Sequence, residues 1–257
     1  MNKPSMAAFG GGTNSAAMLV ELARRGEFPD AVLFADTGGE KPHTYRFIEA
    51  IQRWLAARSL PQIVIVKQTF TDYATLEDNC LRNGTIPSVA YGFKSCSEKW
   101  KIRPQNTWLK QWEPAVEAWA RGEKVVKMIG YDADEERRAK ARIDEHYEFR
   151  YPLIEWGWGR DECIAAIVKA GLPLPGKSAC FFCPNSKRSE VRSLRKTYPE
   201  LFDRAIAMEK NAAANLTTIR GLGREWRWQD VAATDDAQGS LFDTVADMPC
   251  GCYDGDE

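Results

Sequence analysis

Short apolar or β-branched runs recur along the first half of the chain, at residues 6–9, 31–35, 62–67 and 124–129, and each reads as a buried strand. Between the first three, apolar positions switch to helical spacing: Leu19, Leu22 and Ala23 within 16–25, then Phe47, Ile48, Ile51 and Leu55 within 45–58. This alternation predicts a βαβαβ beginning. Such units build a parallel sheet flanked by helices, with right-handed crossovers and a ligand site at the carboxyl ends of the strands. From about Gly157 the pattern turns to helices and loops, with helices predicted over 160–170, 187–197 and 199–211. The expected organisation is an α/β domain over 1–156 and a mainly helical, cysteine-containing region over 157–257.

The turn after the first predicted strand, Phe9-Gly-Gly-Gly-Thr-Asn-Ser15, carries the most chemistry. Glycines leave the backbone open to close approach, and the following helix adds orphan N–H donors and its dipole, which Ser15 supplements with a hydroxyl. Phosphate binding is the expectation. A second candidate, Gly171-Leu-Pro-Leu-Pro-Gly176-Lys177-Ser178, matches the pattern Gly-x-x-x-x-Gly-Lys-Ser/Thr letter for letter. It follows a predicted helix, holds two prolines and runs into Cys180, so it reads as a proline-rich connector. Gly10-x-Gly12 with Asp36 at a strand end also matches part of a dinucleotide fingerprint, with Ser15 in place of the third glycine.

Composition narrows the setting. The 257 residues are 44% hydrophobic and 28% charged, enough for a full core, and 35 Lys plus Arg nearly balance 36 Asp plus Glu. The distribution is uneven. Basic residues gather in 94–103, 137–142, 187–196 and 220–227, whereas 243–257 carries acids and no Lys or Arg, which suits an anionic substrate or a nucleic acid. No apolar run approaches the ~18 residues of a membrane span and no signal-peptide core is visible, so a cytoplasmic protein without membrane association is expected. In that compartment seven cysteines, including Cys180-x-x-Cys183 and Cys250-x-Cys252, read as metal or redox ligands.

Further motifs give the chain a resemblance. Gly10-Gly-Gly-Thr-Asn-Ser15 resembles the SGGxDS loop of the PP-loop ATP pyrophosphatases, with Gly10 for the first serine and Asn14 for the aspartate. Phe34-Ala-Asp-Thr-Gly-Gly-Glu-Lys-Pro-His-Thr-Tyr45 resembles the DTGxxxPxTY segment of the phosphoadenosine phosphosulfate (PAPS) reductase family. Cys96-Ser-Glu-Lys-Trp-Lys-Ile-Arg-Pro104, Gly130-Tyr-Asp-Ala-Asp-Glu-Glu-Arg-Arg138 and Tyr151-Pro-Leu-Ile-Glu-Trp156 follow in that family's order. The resemblance spans most of residues 5–200 and implies an adenine nucleotide alpha-hydrolase-like fold. It implies a nucleotide site at Gly10, Gly11, Gly12, Thr13, Asn14 and Ser15, joined by the second motif's Asp36, Thr37 and Gly38. Asp36 is a candidate for ribose or a magnesium-linked phosphate, and Arg137 and Arg138, with Lys99, Lys101 and Arg103 beside Cys96, are candidate cations for phosphate or sulfate. The competing reading of each is a turn residue or a solvated helix face.

Within that family the cysteines are similar to those of adenylylsulfate reductases and of the sulfur-transfer enzymes of DNA phosphorothioation and tRNA thiolation. Cys96 stands 84 residues before Cys180, near the separation of the ligand sets that hold a 4Fe-4S iron–sulfur cluster in adenylylsulfate reductases, although residue 95 is serine. The resemblance implies a cluster on Cys96, Cys180 and Cys183, with Cys250 as the fourth ligand and Cys252, Cys163 or an open position as alternatives. Zinc on the same thiolates is the competing expectation, and magnesium would accompany ATP.

The resemblance thus implies an enzyme that binds PAPS, adenylyl sulfate or ATP and performs sulfur chemistry. One form is sulfonate reduction, with Cys250 or Cys252 as nucleophile and Arg138 at the anion. The other is ATP-dependent sulfur transfer, with ATP cleaved between its α- and β-phosphates. The alternative is an inactive nucleotide- or nucleic-acid-binding module with structural zinc, for which Asn14 speaks because it removes a carboxylate. Expected partners are an adenine nucleotide, a nucleic acid or thiol-donor protein, and a second copy of the chain. His43 and His146 have no evident catalytic partner, and Trp100, Trp108 and Trp112 at helical spacing read as core.

Overall fold

The computed structural model describes residues 3–88, 95–139 and 143–231. The chain opens with β1 (Ser5–Ala8), α1 (Thr13–Arg25), β2 (Ala31–Ala35), α2 (Pro42–Ala56) and β3 (Ile63–Val66). Next come α3 (Leu76–Asn83), α4 (Ser95–Ser97) running into a π-helical turn at Glu98–Ile102, α5 (Arg103–Leu109) and α6 (Glu113–Ala120). They lead to β4 (Val125–Ile129), a 3-10 turn at Ala133–Arg138, β5 (Tyr147–Arg150), α7 (Pro152–Glu155), α8 (Arg160–Lys169), α9 (Arg188–Thr197) and α10 (Pro199–Ala212). The residues pack as two compact units, neither continuous in sequence. The first comprises Met1–Asp36, Pro42–Lys67 and Arg103–Ser178, the second Thr37–Lys41, Gln68–Ile102 and Ala179–Glu257. The boundary expected after Trp156 falls inside the first unit.

The first unit holds an all-parallel sheet in the order β3-β2-β1-β4-β5, flanked by helices as the apolar pattern predicts. The chain winds outward from β1 to β3, then returns to add β4 and β5 on the other side of β1. A topological switch point therefore lies between β1 and β4. Both faces are covered. Ala7, Val32, Phe34 and Met128 pack with Leu19 and Ile51, whereas Met6, Ala31, Leu33 and Val125 pack with Leu109 and Ala115. Successive strand residues point to opposite faces, so an inner strand reads as a largely apolar run, which makes β1, β2 and β4 visible in the sequence, and the edge strand β3 is visible because Ile-Val-Ile-Val is apolar. β5, Tyr-Glu-Phe-Arg, is a partly exposed edge strand without such a run, and the pattern does not predict it.

Helix α1 begins at Thr13, earlier than the apolar spacing indicates, because its first turn is polar. Thr13, Asn14 and Ser15 are nevertheless all buried. The second unit is mainly helical, with α10 packed on α3 and α9 over a core that includes Phe181, Phe182, Phe202 and Trp228. Its Glu209 is 3% exposed and accepts the N–H groups of Leu222, Trp228 and Gln229 at 2.8, 3.0 and 3.2 Å, which ties the segment after α10 back onto that helix. Among the described residues no helix is long and apolar enough to cross a membrane. Cys250 and Cys252 lie outside the described residues.

Candidate functional site

In the first unit the glycine turn follows β1 at the switch point. The Gly10 N–H donates to Ser15 Oγ at 3.2 Å, and that hydroxyl donates to the Gly12 carbonyl at 3.2 Å, which folds the turn onto the start of α1. Gly11 has φ +74°, a left-handed conformation that strains any residue with a Cβ, and a Cβ there would come within 2.9 Å of Thr44 Cγ2. Gly12 is the N-cap of α1 and supplies no capping side chain, so no side-chain cap engages the first-turn N–H groups. Gly130, just after β4, completes the switch point. A Cβ on it would lie 2.9 Å from Ser15 Cα, so β4 and the turn approach at backbone distance.

Asn14 faces two carboxylates. Its Nδ2 donates to Asp132 Oδ2 at 2.8 Å and to Glu135 Oε2 at 3.1 Å, while its Oδ1 accepts from Arg160 at 3.4 Å. An aspartate at 14 would be a third carboxylate against these two, whereas the amide bridges them, so the departure from the SGGxDS pattern has a local reason. Burial pushes the Asp132 and Glu135 carboxyls above the usual range, opposed by the Asn14 amide at Asp132 and by the Arg138 guanidinium at Glu135. Asp132 is 1% exposed, and its Oδ1 has no hydrogen-bond partner among the described residues. Arg138 is paired with Glu135 and lies 4.2 Å over the Tyr131 ring, so it is anchored, while Arg137 is exposed. Asp36 accepts the Tyr45 hydroxyl at 2.8 Å and pairs with Lys67 at 3.6 Å.

In the second unit, three stretches distant in sequence line one small cavity of about 30 Å³. Thr37 comes from the first, Cys96, Ser97 and Lys101 from the second, and Cys180, Phe182 and Cys183 from the third. Glu40 and Cys180 form an antiparallel bridge, and the Phe181 N–H donates to the Gly39 carbonyl at 2.8 Å, so residues 37–41 are pinned alongside the Cys180 segment. Thr37, expected at the nucleotide, has its hydroxyl 3.1 Å from Cys180 Sγ. Gly38 has φ +72°, and a Cβ there would lie 2.3 Å from Thr75 Cγ2, which accounts for that glycine by packing. Lys99 is exposed. The lysine that lines the cavity is Lys101, whose ammonium stands 3.2 Å from the buried Glu40 carboxylate; burial works against its charge, but Glu40 holds its pKa well above the ordinary value.

Burial raises the Cys96 and Cys180 thiols, with Cys183 adding to the first and Glu40 to the second. Among the described residues no three His, Cys, Asp or Glu side chains stand arranged to hold a metal ion. What the second unit offers is three thiols lining one cavity. Cys80, which sequence reasoning passes over, is buried in the same core; burial pushes its thiol up to about 12, and Cys96 adds to the rise. Cys163, one of the fourth-ligand alternatives, is a core residue of the first unit with 0% exposure and does not line the cavity. His43 is held against residues 176 and 177, and Trp100, Trp108 and Trp112 serve packing. His43 abuts Gly176, Trp100 is in the second unit's core, and Trp108 stacks on Trp112 at 5.6 Å.

A parallel sheet with a glycine turn and an open helix N-terminus at its switch point defines a nucleotide-binding type of α/β architecture. Residues 4–160 match the phosphoadenosine phosphosulfate reductase domain, and the chain belongs to that family. An uncharacterized protein of Methanocaldococcus jannaschii is 23% identical over 236 residues, which cover 87% of this chain and 51% of that protein. The chain thus spans about half the length of this curated relative. The solved U34-tRNA thiolase NcsA from Methanococcus maripaludis with its 4Fe-4S cluster is 17% identical, covering 95% of this chain and 84% of that one, with a TM-score of 0.41.

Proposed function

We propose that the chain binds ATP through the glycine turn and carries out ATP-dependent sulfur transfer, with the second unit's cysteines holding a thiolate-bound metal centre. The observation that carries the reading is the turn itself. It combines a left-handed Gly11, a Gly10 N–H anchored by Ser15 and an uncapped 13-residue helix, in a chain of the PAPS reductase family. Free main-chain donors at a helix N-terminus recognise a phosphate chain, and departing pyrophosphate gains most from them because its charge grows as the α–β bond breaks. An acceptor oxygen attacks the α-phosphorus and pyrophosphate leaves; sulfur then displaces AMP from the adenylated acceptor.

Cys96, Cys180 and Cys183 supply the soft donors that an iron–sulfur cluster or zinc takes, with Cys250 as the proposed fourth ligand. Bound there, an iron–sulfur cluster would supply a site for sulfur binding and electron transfer. The residues around it have their own duties. The Thr37 hydroxyl lies beside the Cys180 sulfur, and the Lys101 charge opposes the burial that raises the Cys96 and Cys180 thiols without overcoming it.

A second reading, sulfonate reduction, is favoured by Cys250-Gly-Cys252, which gives this chain a late thiol able to attack a sulfonate sulfur. The experiment is anaerobic purification, iron, zinc and sulfide analysis, and parallel incubation with ATP, adenylyl sulfate and PAPS. Pyrophosphate and AMP from ATP in the presence of a sulfur donor and a nucleic-acid acceptor support transfer. Sulfite from adenylyl sulfate or PAPS replaces it with reduction. No turnover of any of the three leaves a nucleotide- or nucleic-acid-binding module with structural zinc.

A further inference from the structure

We propose that residues 176–178 are a strut that holds the glycine turn in its phosphate-receiving shape, with Ser178 as the positioning residue. The proposal rests on the nucleotide-binding reading above and assigns a task to a segment that reads in sequence as a connector. Gly171-Leu-Pro-Leu-Pro-Gly-Lys-Ser178 has the letters of a phosphate loop, but no strand precedes it and no helix follows it directly. The fold uses it differently. Ser178, 6% exposed, donates its hydroxyl to the Gly10 carbonyl. A Cβ on Gly11 would lie 3.4 Å from Ser178 Oγ, and one on Gly12 would lie 3.6 Å from Ser178 Cβ, so the serine lies directly against the turn.

The consequence follows from peptide geometry. The Gly10 carbonyl and the Gly11 N–H belong to one planar trans peptide and point in opposite directions. Fixing the carbonyl on Ser178 therefore aims the Gly11 N–H away from the strut. Ser15 holds the Gly10 N–H on the other side, so the peptide units flanking Gly10 are both anchored, one by α1 and one by a segment more than 160 residues downstream. The strut is pinned in turn. His43 Nε2 donates to the Lys177 carbonyl at 3.2 Å, and a Cβ on Gly176 would come within 2.7 Å of that same nitrogen, so the ring sets the height of the strut. This gives the glycine at 176 and the histidine at 43 a joint reason.

The test is equilibrium binding of ATP, inorganic pyrophosphate and adenosine to the full-length wild type, Ser178→Ala, Ser178→Thr and Gly176→Ala. Losing the serine hydroxyl leaves the Gly10 carbonyl without its donor and the Gly11 peptide free to turn, which should weaken ATP and pyrophosphate about tenfold. Adenosine, which has no phosphate, should bind Ser178→Ala as it binds wild type, and Ser178→Thr should restore ATP affinity. Gly176→Ala, which displaces the strut through His43 while keeping the hydroxyl, should also weaken ATP selectively and serves if Ser178→Ala does not fold. Wild-type ATP affinity in Ser178→Ala and Gly176→Ala overturns the strut alone. Equal losses for ATP and adenosine overturn it as well, since they mark general damage. A wild type that binds neither ATP nor pyrophosphate overturns both the strut and the nucleotide reading.

Discussion

The two units build their candidate sites from different materials. In the first, the site is main chain: Gly10, Gly11 and Gly12 are defined by what they lack, and the groups offered to a ligand are N–H donors at the start of α1. In the second, the site is side chain: three thiols from two separated stretches line one cavity, with Thr37 and the Lys101–Glu40 pair around them. A main-chain site tolerates changes of side-chain chemistry and fails when bulk is added. A side-chain site tolerates small changes of bulk and fails when one donor atom is exchanged. The two should therefore break under different substitutions, and each should survive the other's.

The largest expected effect is at Cys180. Cys180→Ser should abolish metal content in anaerobically purified protein while ATP affinity stays at the wild-type level; retention of full iron or zinc would remove Cys180 from the ligands. Gly11→Val should reverse the pattern. A β-branched residue at φ +74° costs about 1–2 kcal/mol in backbone strain and meets Thr44, so ATP affinity should fall about 100-fold or more with metal content unchanged. Calorimetry and metal analysis on one sample read both. Thr37→Val, nearly isosteric, removes only the hydroxyl beside Cys180 and should weaken metal retention about tenfold, as losses of outer-shell partners do. Unaltered retention would confine Thr37 to packing.

The smallest effect concerns pH. The buried Asp132 carboxyl has a raised pKa, so in the folded state it holds its proton more tightly than in the unfolded chain. Below the unfolded value the group is protonated in both states and favours folding; as pH rises through the folded value that contribution is lost, because a charge must sit in a buried place. Asp132→Asn carries no such charge. Its Tm advantage over wild type should therefore grow as pH rises through and above the ordinary aspartate range, and an advantage independent of pH would contradict the burial argument.

The same contrast explains what the sequence reveals. The sheet is legible because the inner strands β1, β2 and β4 carry mostly apolar, buried runs and the edge strand β3, Ile-Val-Ile-Val, is apolar although Ile65 is exposed, whereas the other edge strand β5, Tyr-Glu-Phe-Arg, carries no such run. The glycine turn is legible because its chemistry is local, although nothing in the spacing shows that Asn14 donates to both Asp132 and Glu135. The cysteine cavity is not local. Nothing in the spacing shows that residues 37–41 pair with Cys180, that Lys101 lines the cavity and Lys99 does not, or that Thr37 faces a thiol; only the resemblance joins Cys96 to Cys180. Ser178 hides for the same reason, because its partner Gly10 lies at the far end of the sequence.

The measurement that bears most directly on the main-chain account is hydrogen exchange of the backbone amides with and without saturating ATP. The account predicts slowed exchange at the amides of residues 11–15, with the Cys180 segment unchanged. ATP that binds without slowing those amides, or that protects the Cys180 segment in their place, would contradict it.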